Sequence, residues 1–216
     1  MSTDLASTTS STDASFFSHN PATGVEVAKY QDCSRESVDL AVAKARLALP
    51  SWQELGFRGR RKVLLRWAKY LTHHIDEGAW WIYEETGKPG SDAKLEFTLA
   101  IGHLAWAAKN ASLILGEQRR SPGLLMANMS ARVERVPYGV VGVIGPWNYP
   151  VFTPMGSLAY ALAAGNTVVL KPSEFTPGVA TWLAETFAKF APSPDIFRVI
   201  TGERETGRFL TESAVD

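Results

Sequence analysis

Two short polar clusters in the second half of the chain contain the side chains best placed to do chemistry. The first, GPWNYP at 145–150, surrounds one amide side chain with two prolines and two aromatic rings, which would hold that amide in a fixed direction. The second, KPSE at 171–174, brings a cation and a carboxylate close together. Both follow apolar, β-rich runs, and ligands bind at loops that leave the carboxyl ends of parallel strands. We therefore take both clusters as candidate ligand-binding loops.

Each cluster also has an ordinary structural explanation. A loop asparagine most often caps a turn, and Asn148 could do the same. Lys171 and Glu174, at positions i and i+3, could form a surface ion pair that contributes little stability. The single cysteine, Cys33, precedes the first cluster by more than a hundred residues. We interpret Cys33 as an ordinary small residue.

The second half of the chain alternates between β-rich and helical segments. Apolar runs predict strands at 140–144, 167–170 and 196–200, and helical periodicity predicts helices at 152–164 and 177–190. That alternation predicts βαβ units, and hence an α/β fold with a parallel sheet and flanking helices. Both polar clusters would then leave the same edge of the sheet.

The first half is predicted to begin with a hairpin. Extended runs on either side of NPATG at 20–24 indicate two strands within residues 16–34. Ser34 could then cap a helix whose apolar positions recur at helical spacing as far as Pro50. The hairpin and this helix are predicted as structural elements only.

Three further helices are expected before the alternating region. The first covers 58–75 and the second ends at Gly87, because glycine is favoured just past a helix. The third covers 91–116, and ARVERVP at 131–137 alternates valine and charge like an exposed edge strand. We interpret the basic face of the first of these helices as exposed to solvent; it comprises Arg58, Arg60, Arg61, Lys62 and Arg66.

Composition excludes several classes of partner. The 22 basic and 22 acidic side chains cancel, so no long-range field attracts nucleic acid or a membrane surface. No run reaches the ~18 consecutive apolar residues that a membrane span requires. Adjacent His73 and His74 would point in different directions on a helix, and we predict no metal site. A single cysteine fits a reducing compartment, so we expect the protein in the cytoplasm.

Three motifs, taken together, resemble the aldehyde dehydrogenase superfamily. They are GKP at 87–89, PWN at 146–148 and AAGNTVVLKPSE at 163–174. Each motif alone is a weak signal. Their order and spacing, however, agree with the alternation of strands and helices that is predicted independently around two of them. The resemblance covers nearly everything from about residue 16 to residue 216.

The resemblance implies a domain organisation. The fold would be the Rossmann-like, incomplete N-terminal portion of an aldehyde dehydrogenase. Residues 16–118 and 138–216 would belong to the dinucleotide-binding domain, and residues 119–137 to part of an oligomerisation element. The full-length protein would be a homo-oligomer.

The composition of residues 1–15 predicts a disordered tail. This segment is rich in Ser, Thr and Asp and contains no Lys or Arg.

The resemblance also implies a reaction, the oxidation of an aldehyde to a carboxylic acid with NAD(P) as hydride acceptor. In such enzymes a cysteine thiolate attacks the aldehyde, and the amide of Asn148 would stabilise the resulting alkoxide. Tyr149, Phe152 and Thr153 would lie near the substrate tunnel. The substrate is expected to be a small-molecule aldehyde.

Five residues would contact the cofactor by the same resemblance. Lys171 and Glu174 would hold the adenosine ribose, and a carboxylate there favours NAD over NADP because it would repel a 2′-phosphate. NADP stays possible, since Lys171 could pair with a phosphate. Ile144 and Trp147 would line the cofactor cleft. Gly202, in GERETG at 202–207, would belong to an adenine-side loop, although a glycine-rich turn alone is a weak signal.

The family's catalytic cysteine and general-base glutamate are expected beyond residue 216. We therefore predict that these 216 residues alone do not form NADH. The ending, FLTESAVD, leads towards another strand, which favours truncation. The alternative is a non-catalytic protein that binds a nucleotide or pairs with a related subunit.

Overall fold

The computed structural model describes residues 14–216. It begins with an antiparallel hairpin of β1 (Ala14–His19) and β2 (Glu26–Asp32). In the turn, the Asn20 side-chain oxygen accepts two backbone N–H groups, the local bonding that asparagine favours in turns. The predicted hairpin is confirmed.

The hairpin begins inside the segment predicted as a disordered tail. Residues 1–13 of that tail lie outside the described residues. Ala14 and Ser15 instead pair with Asp32 and Gln31 in the hairpin. The tail prediction is therefore two residues too long, because cross-strand pairing orders a sequence whose composition alone indicates disorder.

Four helices follow the hairpin. They are α1 (Arg35–Glu54), α2 (Gly56–His73), α3 (Ile75–Thr86) and α4 (Gly90–Leu115). Ser34 caps α1 by accepting the N–H of Ser37, as predicted. Gly87 ends α3 in the left-handed conformation at φ +69°, also as predicted.

The predicted end of α1 at Pro50 is wrong. The helix contains Pro50 and continues to Glu54. Its last turn includes Trp52, which is fully buried and whose indole N–H donates to the Leu162 carbonyl over 3.0 Å. Burial of a tryptophan stabilises the turn by a few kcal/mol, enough to offset the cost of a proline inside a helix.

The prediction of a solvated basic face on α2 is wrong for Arg60. Arg60 is 5% exposed, and its guanidinium donates to the carbonyls of Ala163 at 3.2 Å and Gln53 at 3.3 Å. These carbonyls lie in the last turns of two helices, where intrahelical donors are lacking. Arg60 therefore joins two helix C-termini, whereas its neighbour Arg61 is exposed.

A short exposed hairpin separates the helical half from the sheet. Its strands, β3 (Gln118–Arg120) and β4 (Ala131–Val133), are antiparallel. The strand predicted over 131–137 is therefore only three residues long. Between the strands, Leu124 and Leu125 are 92% and 96% exposed.

The rest of the chain forms a parallel sheet in the order β5-β6-β7 with flanking helices. The strands are β5 (Val140–Ile144), β6 (Thr167–Lys171) and β7 (Phe197–Val199). The helices are α5 (Phe152–Ala164), α6 (Pro177–Ala188) and α7 (Arg204–Glu212). Each strand is followed by a helix, so the predicted α/β fold is confirmed.

The core occupies both faces of this sheet. Along β6, Val168 and Leu170 face the larger cluster, which includes Trp67 and Phe187, while Val169 faces a smaller cluster with residues of α1 and α7. The strand is buried along its whole length, as expected for a central parallel strand. None of the helices within residues 14–216 combines the length and the apolar character needed to cross a membrane.

We expect Arg60→Met to lower the free energy of unfolding by about 2–3 kcal/mol, because the buried Ala163 carbonyl and the partly buried Gln53 carbonyl would lose a charged donor. Denaturant unfolding of the purified chain measures this loss. The matched control is Arg61→Met on the same helix, which should change stability by less than about 0.5 kcal/mol. Equal effects of the two substitutions would contradict the role assigned to Arg60.

Candidate functional site

Three loops leave the carboxyl edge of the parallel sheet and form the candidate site. They cover 145–151 after β5, 172–176 after β6 and 200–203 after β7. Ile144 lies opposite Lys171 in the register, and the Gly145 N–H donates to the Lys171 carbonyl over 2.9 Å. A Cβ at Gly145 would lie 2.8 Å from Pro154 Cγ, so only glycine allows this close approach between loop and helix.

The first loop presents the amide of Asn148 at an exposed corner. Asn148 Oδ1 accepts the N–H of Tyr149 over 3.0 Å. This bond orients the amide and leaves its Nδ2 donors directed elsewhere. No described residue accepts a hydrogen bond from Nδ2, so both N–H groups are available to a ligand oxygen. The corner therefore provides an oriented hydrogen-bond donor.

A lysine on the turn between α3 and α4 and a buried glutamate on α4 support this corner. Lys88 Nζ donates to the main-chain carbonyl of Asn148 at 2.9 Å and to Glu96 Oε2 at 2.5 Å. Glu96 is 1% exposed, and its Oε1 accepts the N–H groups of Val151 at 2.9 Å and Phe152 at 3.1 Å. Glu96 therefore caps the N-terminus of α5 and pairs with Lys88 at the same time.

The second loop presents a carboxylate above a buried lysine. Lys171 Nζ lies 3.5 Å from Glu174 Oε2, and the two side chains are 6% and 36% exposed. Partial burial opposes ionisation of Glu174. However, its own N–H, the charge of Lys171 and the Ser173 hydroxyl outweigh burial and hold the pKa of this carboxyl below its usual value. Glu174 is therefore an ionised hydrogen-bond acceptor at neutral pH.

A second buried glutamate caps the helix that follows this loop. Glu85, 3% exposed in α3, accepts the Gly178 N–H with both carboxylate oxygens, at 2.9 and 3.0 Å, and the Val179 N–H at 3.4 Å. Burial raises the pKa of Glu85 to about 7, although these N–H groups favour its charged form. The start of α6 is thus fixed by a carboxylate that titrates near neutrality.

The third loop is held by Asp32, the last residue of β2. Its Oδ1 accepts the Glu203 N–H at 3.2 Å and the Thr206 hydroxyl at 2.9 Å, at the start of α7. Gly202 has φ +150°, and a Cβ there would overlap both Thr206 Oγ1 and Asp32 Oδ1. Gly202 therefore packs against protein atoms, while the adjacent Glu203 is exposed.

Carboxylates thus occupy the N-termini of all three helices that follow the site loops. Glu96 caps α5, Glu85 caps α6 and Asp32 holds the first turn of α7. In many dinucleotide-binding folds such N-termini bind phosphate through free N–H groups. Within residues 14–216, these three helix N-termini are already occupied by carboxyl groups of the chain itself, so a phosphate would have to displace them.

A cleft of about 450 Å³ opens beside these loops, which is within the usual size range of small-molecule sites. It lies between β1, the end of α3 and the three loops. The cleft brings together Trp147 and Glu174, two of the residues predicted to contact cofactor. Its lining consists of Phe16, Phe17, Ser18, His19, Pro21, Glu85, Thr86, Trp147, Glu174, Phe175 and Glu203.

The other predicted site residues lie outside this lining. Asn148 is next to Trp147 in the chain, and Gly202 is next to Glu203. Ile144 is 54% exposed at the end of β5, whereas Lys171 is buried beneath Glu174. The structure therefore groups the predicted residues at one edge of the sheet but gives them unequal access to the cleft.

Cys33 lies apart from the cleft. Its N–H donates to the Thr201 carbonyl at 3.0 Å, and its own carbonyl accepts the Thr206 hydroxyl at 2.9 Å. Its side chain packs against the smaller core cluster under α1. This placement is that of a residue joining β2 to the third loop.

Sequence reasoning missed the supporting roles of Lys88, Glu85 and Glu96. A usable signal existed for the glutamates, because each stands on the buried stripe of its helix. Glu96 follows Ala93 and precedes Ala100 at helical spacing, and Glu85 follows Ile82 in the same way. A carboxylate on an apolar stripe needs a buried partner, but the sequence does not indicate which partner.

Comparison with known proteins agrees with this geometry. The sequence profile of the aldehyde dehydrogenase family matches residues 8–215. N-succinylglutamate 5-semialdehyde dehydrogenase of Burkholderia cenocepacia is 36% identical over 192 residues, which are 89% of this chain and 39% of that protein.

Two solved structures share the fold. An NAD-dependent benzaldehyde dehydrogenase from Corynebacterium glutamicum has a TM-score of 0.84 at 30% identity, and the match covers 94% of this chain and 45% of that one. An NADP-dependent enzyme from E. coli has a TM-score of 0.86 at 31% identity, over 92% and 41% of the two chains. The chain thus spans about two fifths of the length of the proteins it matches.

We expect the stability of the protein to depend on pH through Glu85. Its pKa is raised on folding, so the stabilisation is complete below the ordinary glutamate pKa and is lost as pH rises through about 7. Relative to Glu85→Gln, the wild type should lose about 2–3 kcal/mol of unfolding free energy between pH 5 and pH 8.

Denaturant unfolding of both proteins across this pH range measures the difference. Glu77→Gln, on an exposed position of the same helix, is the matched control for removing one carboxylate from α3. A difference between wild type and Glu85→Gln that stays constant from pH 5 to pH 8 would show that Glu85 does not titrate in this range.

Proposed function

This chain belongs to the aldehyde dehydrogenase family, and we propose that it supplies the oxyanion contact and the cofactor-ribose contacts of an enzyme that oxidises an aldehyde to a carboxylic acid. The observation that carries this proposal is the Asn148 amide, which is oriented by Tyr149 and has no internal acceptor for Nδ2 among the described residues. It lies on the carboxyl edge of the sheet beside the cleft. The substrate would be a small-molecule aldehyde.

The proposed role of Asn148 is to stabilise negative charge on the aldehyde oxygen. An N–H donor that is already oriented stabilises a developing oxyanion without reorganising during the reaction. The prolines at 146 and 150 restrict the loop, and the Asn148 carbonyl is held separately by Lys88. The amide can thus bind a new oxygen while its backbone stays fixed.

The nucleophile and the base of the reaction are proposed to lie outside these 216 residues. Covalent oxidation of an aldehyde needs a thiolate and then a base that activates water. The one cysteine here, Cys33, packs under α1 and does not line the cleft. The family resemblance assigns both roles to residues after the region that this chain matches.

The cleft fits the ribose end of a nicotinamide dinucleotide. Glu174 lines it as an ionised carboxylate that can accept hydrogen bonds from two ribose hydroxyls. Lys171 beneath it limits the movement of that carboxylate, and Trp147 offers an aromatic surface on the opposite loop. When bound, the dinucleotide would supply the hydride acceptor.

We propose NAD as the preferred cofactor. A 2′-phosphate next to Glu174 would meet like charge, and the charge of the neighbouring Lys171 is already paired with Glu174. Solved relatives include enzymes named as NAD-dependent and as NADP-dependent. The preference in this chain therefore depends on its own Glu174.

We also propose that the protein forms a homo-oligomer through residues 119–137. Leu124 and Leu125 are almost fully exposed at the tip of the β3–β4 hairpin, and Met129 is 61% exposed. Contiguous exposed apolar side chains are typical of association surfaces.

We also propose that the protein is located in the cytoplasm, because its single cysteine fits a reducing compartment.

We expect Asn148→Ala to lower kcat roughly a hundred- to a thousandfold in the complete enzyme, because the oxyanion would lose a preoriented donor. Formation of reduced cofactor from a set of aldehydes measures this. Asn110→Ala, which removes an exposed amide from α4, is the matched control and should leave the rate within about twofold. Unchanged hydride production by Asn148→Ala would overturn the proposed role.

We expect Glu174→Gln to weaken NAD binding roughly tenfold, because only the unphosphorylated ribose uses both carboxylate oxygens, and to strengthen NADP binding, because the 2′-phosphate would no longer meet like charge. Calorimetric titration with each dinucleotide measures the two affinities. Glu203→Gln removes another carboxylate from the same cleft and serves as control. If Glu203→Gln, and not Glu174→Gln, altered the preference, the ribose contact would be wrongly assigned.

A further inference from the structure

We propose that Lys88 is a positioning residue, which fixes the direction of the Asn148 amide by holding the main-chain carbonyl of Asn148. The catalytic consequence of this inference rests on the function proposed for Asn148. The positioning itself concerns the geometry of this chain and can be tested without turnover. Lys88 lies on the turn between α3 and α4, 60 residues before Asn148.

The ammonium group of Lys88 has three N–H donors and three targets. It lies 2.5 Å from Glu96 Oε2, 2.9 Å from the Asn148 carbonyl oxygen and 4.1 Å from the centre of the Tyr149 ring. The ring distance is typical of a cation–π contact. Glu96 lies on α4, whereas Asn148 and Tyr149 are neighbours in the first loop. One cation therefore fixes this loop relative to α4.

Lys88 is itself held in place. Its side chain is only 17% exposed, and its N–H donates to the Thr86 hydroxyl over 3.1 Å. The left-handed turn at Gly87 sets the direction in which the chain leaves α3. A lysine restrained at both its backbone and its ammonium can restrain a partner, whereas a freely rotating surface lysine cannot.

Asn148 depends on this contact because its other hydrogen bond lies within the loop. That bond joins Asn148 Oδ1 to the N–H of the next residue, and it moves with the loop. Among the described residues, Lys88 is the only group outside the loop that hydrogen-bonds to Asn148. Removal of Lys88 would therefore free the peptide group to rotate, and the amide would turn with it.

Glu96 connects the corner to α5. One of its oxygens accepts the α5 N–H groups of Val151 and Phe152, and the other accepts Lys88. Glu96 thus holds the start of α5 directly and the Asn148 amide through Lys88. The Lys88–Glu96 pair sets both the position and the direction of the amide.

The test compares Lys88→Met with wild type by NMR of the 216-residue chain labelled with ¹⁵N-asparagine. The Asn148 side-chain signal is assigned by its loss in Asn148→Ala. In wild type its order parameter should be close to that of rigid backbone, about 0.85, and in Lys88→Met it should fall below about 0.6. An unchanged order parameter would overturn the proposal.

Two further variants make the result specific. Lys94→Met removes an exposed lysine of α4 that pairs with Asp76, and it should leave the Asn148 signal unchanged. Glu96→Gln keeps an oxygen for the α5 N–H groups but removes the charge that anchors Lys88, so it should also loosen Asn148. If Lys88→Met does not fold, the order parameter of Asn148 in Glu96→Gln tests the proposal instead. A rigid Asn148 side chain in that variant would overturn it.

Kinetics of the complete enzyme separate this inference from the proposed function. Lys88→Met should lower kcat about tenfold and leave the KM for NAD within about twofold, because only the oxyanion donor is misdirected. If Asn148→Ala leaves turnover unchanged, the proposed function is wrong. The NMR result would still show whether Lys88 positions the Asn148 amide. If Asn148→Ala is impaired but Lys88→Met keeps the wild-type kcat, the catalytic role of Lys88 is overturned.

Discussion

The arrangement of the site depends on satisfying the unpaired N–H groups at the N-termini of three helices. The first turns of α5, α6 and α7 all face the carboxyl edge of the sheet, and at α5 and α6 a buried N–H without an acceptor would cost about 1–3 kcal/mol. Glu96, Glu85 and Asp32 provide the acceptors, and all three come from the N-terminal part of the chain. The hairpin and the α3–α4 pair therefore determine where the loops of the sheet lie.

The two buried glutamates meet this requirement in different electrostatic settings. Glu96 has a cation, Lys88, at 2.5 Å, and the pair is shared with the Asn148 corner. Glu85 has N–H partners on α6, and burial raises its pKa to about 7. A buried carboxylate without a cation is stabilised by protonation. Glu85 therefore introduces a pH dependence into the fold.

This organisation separates the residues that would contact ligands from those that hold them. Asn148 and Glu174 are exposed enough to meet a ligand, and each is adjacent to a buried or half-buried lysine that limits its movement. The helical half of the chain contributes little to the cleft surface but fixes both loops. A substitution at Lys88, which does not line the cleft, should therefore affect the site without touching a ligand there.

The sequence alone determined the elements whose signals are local. Ser34 at the start of α1, Gly87 at the end of α3 and the alternation from β5 to α7 act within one turn or one strand, so neighbouring residues suffice to predict them. Family resemblance singled out Asn148 and Glu174 from short motifs. Only the tertiary structure decided that α1 continues through Pro50, that Arg60 is buried and that Lys88 reaches Asn148. The physical reason is sequence distance: Arg60 meets Ala163 103 residues away, and Glu85 meets Gly178 93 residues away. Such contacts form only when the chain folds, and no local pattern specifies the partner.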